Sequence, residues 1–267
     1  MNKIERQMAE ILNEGRARFG YASVKAEFEA EGTRVDELLR LLEIAHKAGL
    51  ELTVKIGGCE AIRDLLESKQ FGVRYVVAPM VETPYALSKY IDAHHKMFNE
   101  DESLDTDFLF NMETITAYEN REAILDLAAA PGGVDGVVFG RVDFSGSMGL
   151  GREGIEGPEI TDRVLTVAAM CKERGLDFVV GGAVSIDALT NLHAFRHCYL
   201  TRFETRKVVF DAASLDSGDI HDGLLNAVHF ELLWLINKRE YYGSIHLEDA
   251  KRIKMLEDRW KLLNGPS

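Results

Sequence analysis

Short apolar runs alternating with amphipathic helical stretches constrain this chain more than any other feature. The alternation is plainest over residues 111–150, NMETITAYENREAILDLAAAPGGVDGVVFGRVDFSGSMGL. One apolar run ends in Glu113, a helix-patterned stretch carries the chain back, and a second run, residues 134–140, stops just before Asp143. Two such units in succession read as parallel neighbouring strands, each delivering a carboxylate just beyond its end. Both carboxylates then open onto one face, where two hard oxygen ligands can hold a divalent cation.

The same pattern extends along the chain. Residues 23–29 (SVKAEFE), 52–56 (LTVKI) and 74–79 (RYVVAP) read as the first three strands. Thr33 with Asp36 makes a capping-box-like start to the first intervening helix and Gly49 its stop. Gly57 and Gly58 lead into the second helix, and Thr83-Pro84 supplies an N-cap and first residue for the third. Residues 99–107 read as an exposed acidic loop and 108–112 as the fourth strand. Thr116 with Glu119 caps a helix running to about residue 130. After the fifth strand, 134–140, a long glycine-rich connection (146–157) precedes a helix near 161–174. The sixth strand, 178–181, is followed by a helix capped by Ser185. Only short strands fit near 199–201 and 207–210, with no full helix between them, and two helices, 223–239 and 247–263, end the chain.

Repeated strand–helix units give a parallel sheet, closed or open. Polar residues decide between the two. Glu29, Lys55, Glu113, Asp143 and the pair Arg202/Glu204 follow or occupy different strands, and only a barrel gathers such positions around one mouth. The expected fold is therefore α/β: a TIM (β/α)8-type barrel with an N-terminal helix and extra C-terminal helices. A length of 267 residues and a hydrophobic fraction of 46% suit one such domain over 1–267.

No run of about eighteen apolar residues occurs, and the first twenty residues read as an amphipathic helix, not a signal peptide. Cys59, Cys171 and Cys198 lack zinc-type spacing, which suits reduced thiols. A soluble, cytoplasmic protein is expected. The net charge of −13 argues against a nucleic-acid or anionic-membrane partner. It serves solubility, or it requires a metal or inward-pointing cations wherever an anionic metabolite binds.

Either carboxylate alone also suits a helix N-terminal charge; the pair is the stronger signal. Arg141, read on the loop after the fifth strand, is placed to reach an anionic substrate, and Arg202, Glu204 and Arg206 form a dense polar cluster near the mouth that a buried ion-pair network would equally explain. Cys59 has no identified base, Glu82 suits a helix start, and His94 and His95 suit a helix surface.

FGVRYVVAPMVETPYAL, the 111–150 stretch and RKVVFDAASL resemble successive motifs of the HpcH/HpaI aldolase and citrate lyase β-subunit family, within the phosphoenolpyruvate/pyruvate superfamily of TIM barrels. The resemblance spans about residues 23–215. The family's metal-binding glutamate falls on Glu113, and its metal-binding aspartate, in a G-x-x-D-[LF]-S-x-S-[ML]-G setting, on Asp143. This implies a carbon–carbon lyase in which Mg²⁺ or another divalent cation (Mn²⁺, Co²⁺) chelates a 2-oxo acid such as pyruvate or oxaloacetate and stabilises its enolate. A CoA-thioester lyase of the citrate, malate or citramalate type, and a metabolite-binding barrel without turnover, remain open. Backbone N–H groups around Gly140 to Ser145 would help to hold the substrate carboxylate.

Two departures stand out. The family usually has an arginine that contacts the substrate's oxygen atoms where this chain has Lys55, which keeps the charge without the planar fork, so that the resemblance implies a catalytic and substrate-binding role for Lys55 with altered geometry. The D-x-E-[HD] pattern, with a histidine base in the pyruvate aldolases, is here Glu27-Phe28-Glu29-Ala30. Glu29 is then a base, an orienting group or an outward-facing residue. The resemblance also implies a homo-oligomer in which the helix at 247–263 packs against another subunit.

Overall fold

The strands are short and almost wholly buried, as strands lying between an inner core and an outer helical layer must be. The computed structural model describes residues 1–264 and begins with α1 (Lys3–Arg18), β1 (Tyr21–Glu27), α2 (Val35–Ala48), β2 (Glu51–Lys55), α3 (Ile62–Gln70) and β3 (Tyr75–Ala78). There follow α4 (Pro84–Met97), α5 (Glu100–Ser103), β4 (Asp107–Met112), α6 (Ile115–Glu119), α7 (Arg121–Ala128), β5 (Gly136–Gly140) and α8 (Arg141–Ser147). The rest comprises α9 (Pro158–Arg174), β6 (Asp177–Gly181), α10 (Leu189–Cys198), β7 (Arg202–Glu204), β8 (Val208–Asp211) and α11 (Ile220–Asn264).

The eight strands close into a barrel in sequence order, the expected TIM-type architecture. Neighbours from β1 to β7 are parallel, but β8 runs antiparallel to both β7 and β1. Only residues 205–207 separate β7 from β8. A connection that short can make only an antiparallel turn, because a parallel return needs a crossover of about a dozen residues or more. Closure therefore occurs without the helix whose absence the sequence shows.

Alternate side chains divide the barrel into two cores. Val77, Leu109, Val138 and Val179 fill its interior, while the opposite strand faces, including Val54, Phe110, Phe139 and Phe178, pack beneath the helices. Burial of these side chains is worth about 1.5–3 kcal/mol each before entropy is counted.

Local differences from the sequence expectation have local causes. The 99–107 segment includes the one-turn α5, capped by Asn99, whose side chain accepts from Glu102 N–H. Thr114 caps α6 in place of Thr116, and α2 starts with Glu37 accepting from the Arg34 N–H in place of the Thr33/Asp36 box. Ser185 makes no side-chain cap. The seventh strand lies at Arg202–Glu204 because Tyr199 ends α10. The two expected C-terminal helices are one continuous helix, α11, on the order of 65 Å long. Gly243 does not break it, since a lone glycine costs only about 1 kcal/mol in a helix interior. Its first part packs along α1 and buries Leu224, Phe230 and Trp234. Among the described residues no helix is long and apolar enough to cross a membrane.

Candidate functional site

Above the Val77–Leu109–Val138–Val179 layer the barrel interior turns polar and opens into a cavity of ≈ 480 Å³. Glu29, Lys55, Glu113, Gly140 and Asp143 all line it, as the C-terminal ends of parallel strands would place them.

Glu113 is almost wholly buried, and its position is over-determined. Oε2 accepts from Asn111 Nδ2 at 2.6 Å and lies 3.3 Å from Lys55 Nζ, while Oε1 accepts from the Met80 N–H at 3.0 Å. Asn111 and Glu113 are two apart along the chain and therefore share a face. Met80 has φ 51°; Ala183, with φ 54°, is the other non-glycine residue in the left-handed region among the described residues, and both line the cavity. Such backbone strain persists where surrounding contacts hold it, and it clusters at functional sites. Gly140 is needed on the other side, because a Cβ there would lie 2.8 Å from Glu113 Oε2.

Lys55 is buried between two carboxylates, with Nζ 3.1 Å from Glu29 and 3.3 Å from Glu113. Burial opposes its charged form, but Glu113 and then Glu29 outweigh that and hold its pKa above the ordinary lysine value. Lys25 is a second buried ammonium, bound to Glu204 and 3.2 Å from Glu27. Burial is again overcome, chiefly by Glu204 and then Glu27, and its pKa rises. Lys25 does not stand out in the sequence. The available signal is the period-two alternation that puts Ser23, Lys25 and Glu27 on one face of β1.

Asp143 occupies the first turn of α8 and is exposed, and its side chain makes no hydrogen bond or ion pair with any described residue. Arg141 and Ser145 do not reach the cavity. The Arg141 guanidinium is fully buried, bonds both Glu156 oxygens at 2.9 and 3.0 Å, and donates to the Gly182 carbonyl at 2.8 Å. Burial pulls its pKa down, with Glu156 acting against that. Ser145 donates to the Gly151 carbonyl at 3.1 Å. The reason is that residues 141–147 form a helix where an open loop was expected. Positions 141, 144 and 145 then share the face turned to the barrel wall, leaving 142 and 143 toward the cavity.

The Arg202/Glu204/Arg206 cluster is also divided. Glu204 faces the cavity with Lys25, and Arg206 lies at the rim, 3.2 Å from Glu31. Arg202 lies at the opposite end of the barrel, 2.7 Å from Asp177 and over the Tyr75 ring. His94 is buried in a stack on Phe108, not on the helix surface.

The donors fit a divalent cation. A carboxylate offers about four acceptor positions, so Glu113 retains capacity after its three contacts, and Asp143 is unengaged. Asn111 Oδ1 is a buried acceptor without a partner among the described residues. No group of three or more His, Cys, Asp or Glu suited to a metal occurs among the described residues. The protein would thus supply two carboxylates, which suits an ion such as Mg²⁺ that keeps waters and substrate oxygens as its other ligands.

A groove of ≈ 450 Å³ lies where α1, α2 and α11 meet. Its buried carboxylates are already matched, Glu5 by Arg40 and Glu37 by Lys238 and Tyr242, while Asp36 and Glu240 lie exposed at its edge.

The sequence profile described as HpcH/HpaI aldolase/citrate lyase matches residues 23–194. A solved structure of an HpcH/HpaI aldolase from Desulfitobacterium hafniense DCB-2 is 16% identical, with 78% of this chain and 84% of that chain covered and a TM-score of 0.58. An HpcH/HpaI aldolase/citrate lyase family protein from Burkholderia cenocepacia J2315 is 16% identical, with 91% and 90% covered and a TM-score of 0.60. A variant of the citrate synthase SbnG is 17% identical, with 75% and 81% covered and a TM-score of 0.56. At these identities the structural likeness establishes the fold alone. No curated protein sequence matches the chain.

Proposed function

The chain belongs to the HpcH/HpaI aldolase/citrate lyase family, and from that premise we propose a divalent-metal-dependent carbon–carbon lyase acting on a 2-oxo acid through its enolate. The observation that carries this reading is that Glu113 and Asp143, from consecutive βα units, line one cavity at the strand ends. Glu113 and Asp143 would hold Mg²⁺, Mn²⁺ or Co²⁺, which when bound supplies Lewis-acid stabilisation of negative charge developing on the substrate oxygen.

The cavity's charge supports the assignment. Six carboxylates and four cations line it, an excess of negative charge that would repel an anionic acid and that a divalent cation offsets. Lys55, held protonated by Glu113 and Glu29, donates to the substrate's oxygens. Glu29 is the carboxylate placed to exchange a proton, since Lys55 orients it and it remains partly open to the cavity. Gly140 keeps the wall beside Glu113 clear of a side chain. Arg141 and Ser145 act from behind that wall as positioning residues.

One observation favours a second reading, a barrel that binds a metabolite without turnover: no histidine lines the cavity among the described residues. Proton exchange separates the two. Pyruvate incubated with the protein in D₂O and Mg²⁺ or Mn²⁺ is expected to lose its methyl proton signal by NMR. Exchange should fall at least about 100-fold in Asp143→Asn and Glu113→Gln. Asp143 is exposed and unpaired, so its variant keeps the fold. Metal and pyruvate binding without exchange supports the binding barrel; absence of metal binding overturns the lyase reading.

The reading includes one domain over the chain and a homo-oligomer in which the distal part of α11 packs against another copy. Supporting this, Ile253, Leu256 and Leu263 recur at helical spacing on that part and are exposed.

A further inference from the structure

Three of the four cations lining the cavity are already matched by carboxylates. Lys25 has Glu204 and Glu27, Lys55 has Glu113 and Glu29, and Arg206 has Glu27 and Glu31. The side chain of the fourth, Arg152, makes no hydrogen bond, ion pair or ring contact with any described residue. It stands exposed at the rim, in a 3-10 turn at Arg152–Gly154.

The backbone that carries it is nevertheless pinned on both sides. Before it, the Ser145 hydroxyl holds the Gly151 carbonyl at 3.1 Å, and Gly149 turns the chain with φ 72°. After it, Ile155 is buried and Glu156 is gripped by the buried Arg141 and by Asn191 Nδ2 at 2.7 Å. A fixed backbone presenting an unengaged guanidinium into a cavity is the arrangement of an anion receptor, and the planar fork suits a carboxylate in a bidentate contact.

We infer that Arg152 receives a second carboxylate at the outward end of the substrate, so that the preferred substrate is a 2-oxo dicarboxylic acid. The inference rests on the proposed function, in which the 2-oxo acid head lies deeper, at Glu113, Asp143 and Lys55. Arg152 sits outward of that head, on the rim segment that follows Asp143. It serves as the specificity determinant for the far end of the molecule.

The test uses the Mg²⁺-loaded protein and two non-reacting 2-hydroxy acids that share a head, lactate and malate, titrated calorimetrically. Malate is expected to bind about tenfold more tightly than lactate, the modest gain a charge-assisted contact gives at an exposed site. Arg152→Ala should abolish that difference without changing lactate affinity, Arg152→Lys should keep part of it, and added salt should shrink it in the wild type. Equal affinity for the two acids in the wild type, a difference intact in Arg152→Ala, or an equal loss for both acids would overturn the inference and leave the proposed function standing. Failure of both acids to bind the Mg²⁺-loaded wild type overturns the proposed function, and this inference with it.

Discussion

Glu113 shows how much of a functional position is supplied by its neighbours. Its carboxylate is held by the Asn111 amide, the Lys55 ammonium and the N–H of a strained Met80, and it lies against the bare backbone of Gly140. The last contact makes a specific demand. In Gly140→Ala the added methyl would lie 2.9 Å from Glu113 Cβ and 2.8 Å from Oε2, so the carboxylate must move. We expect about 1–3 kcal/mol of destabilisation in urea unfolding and at least about tenfold weaker Mn²⁺ binding by electron paramagnetic resonance. Unchanged Mn²⁺ affinity would separate Glu113 from the metal. The two carboxylates were legible in the sequence because each follows its strand directly. Lys25 and Met80 were not, because they come from β1 and the segment after β3 and reach the same cavity as Glu113 only once the barrel is closed.

At the scale of elements, α4 and β4 meet through a buried histidine. His94 stacks on Phe108 with ring centroids 4.2 Å apart. Burial, and then the neighbouring His95, push its pKa down to about 4. In the unfolded chain the same ring titrates near the ordinary histidine value of about 6.5. Between those values the unfolded state binds more protons, so stability is full above about pH 6.5 and falls as the pH drops toward 4. Urea unfolding should show about 2–3 kcal/mol less stability at pH 4.5 than at pH 7 from this group. His94→Leu should lessen the difference, and an identical pH dependence in the variant would remove His94 as its source.

Elements with a strong period were readable: β4, β5, α4 and α9 lie within a few residues of their expected places. The exception that matters is α8, whose RVDFSGS sequence is short and glycine-containing and shows no apolar repeat long enough to detect. Reading it as a loop put Arg141 and Ser145 at the cavity. Reading it as a helix turns them to the wall and makes them supports for the segment bearing Arg152.

For the whole molecule, the long α11 sets the strongest prediction. Its first part is bound to α1, with Asn237 Oδ1 accepting from Asn2 at 2.6 Å, whereas Leu247, Ile253, Met255 and Leu256 are exposed farther along. Light scattering at micromolar concentration should find a multimer, and Leu256→Lys with Leu263→Lys should shift it toward monomer while Mn²⁺ binding persists. A monomeric wild type would refute the assembly. The chain's sequence by itself determined the strand–helix alternation, the barrel it implies and the two carboxylates, because these depend on periodicity and on adjacency along the chain. Tertiary structure alone decided the reversal of β8, the fusion of the C-terminal helices, and which cations face the cavity. Those outcomes depend on how each element is rotated about its own axis and on where the sheet closes, so Arg141 is buried behind the wall while Lys25 and Arg152 face the space where a substrate would bind.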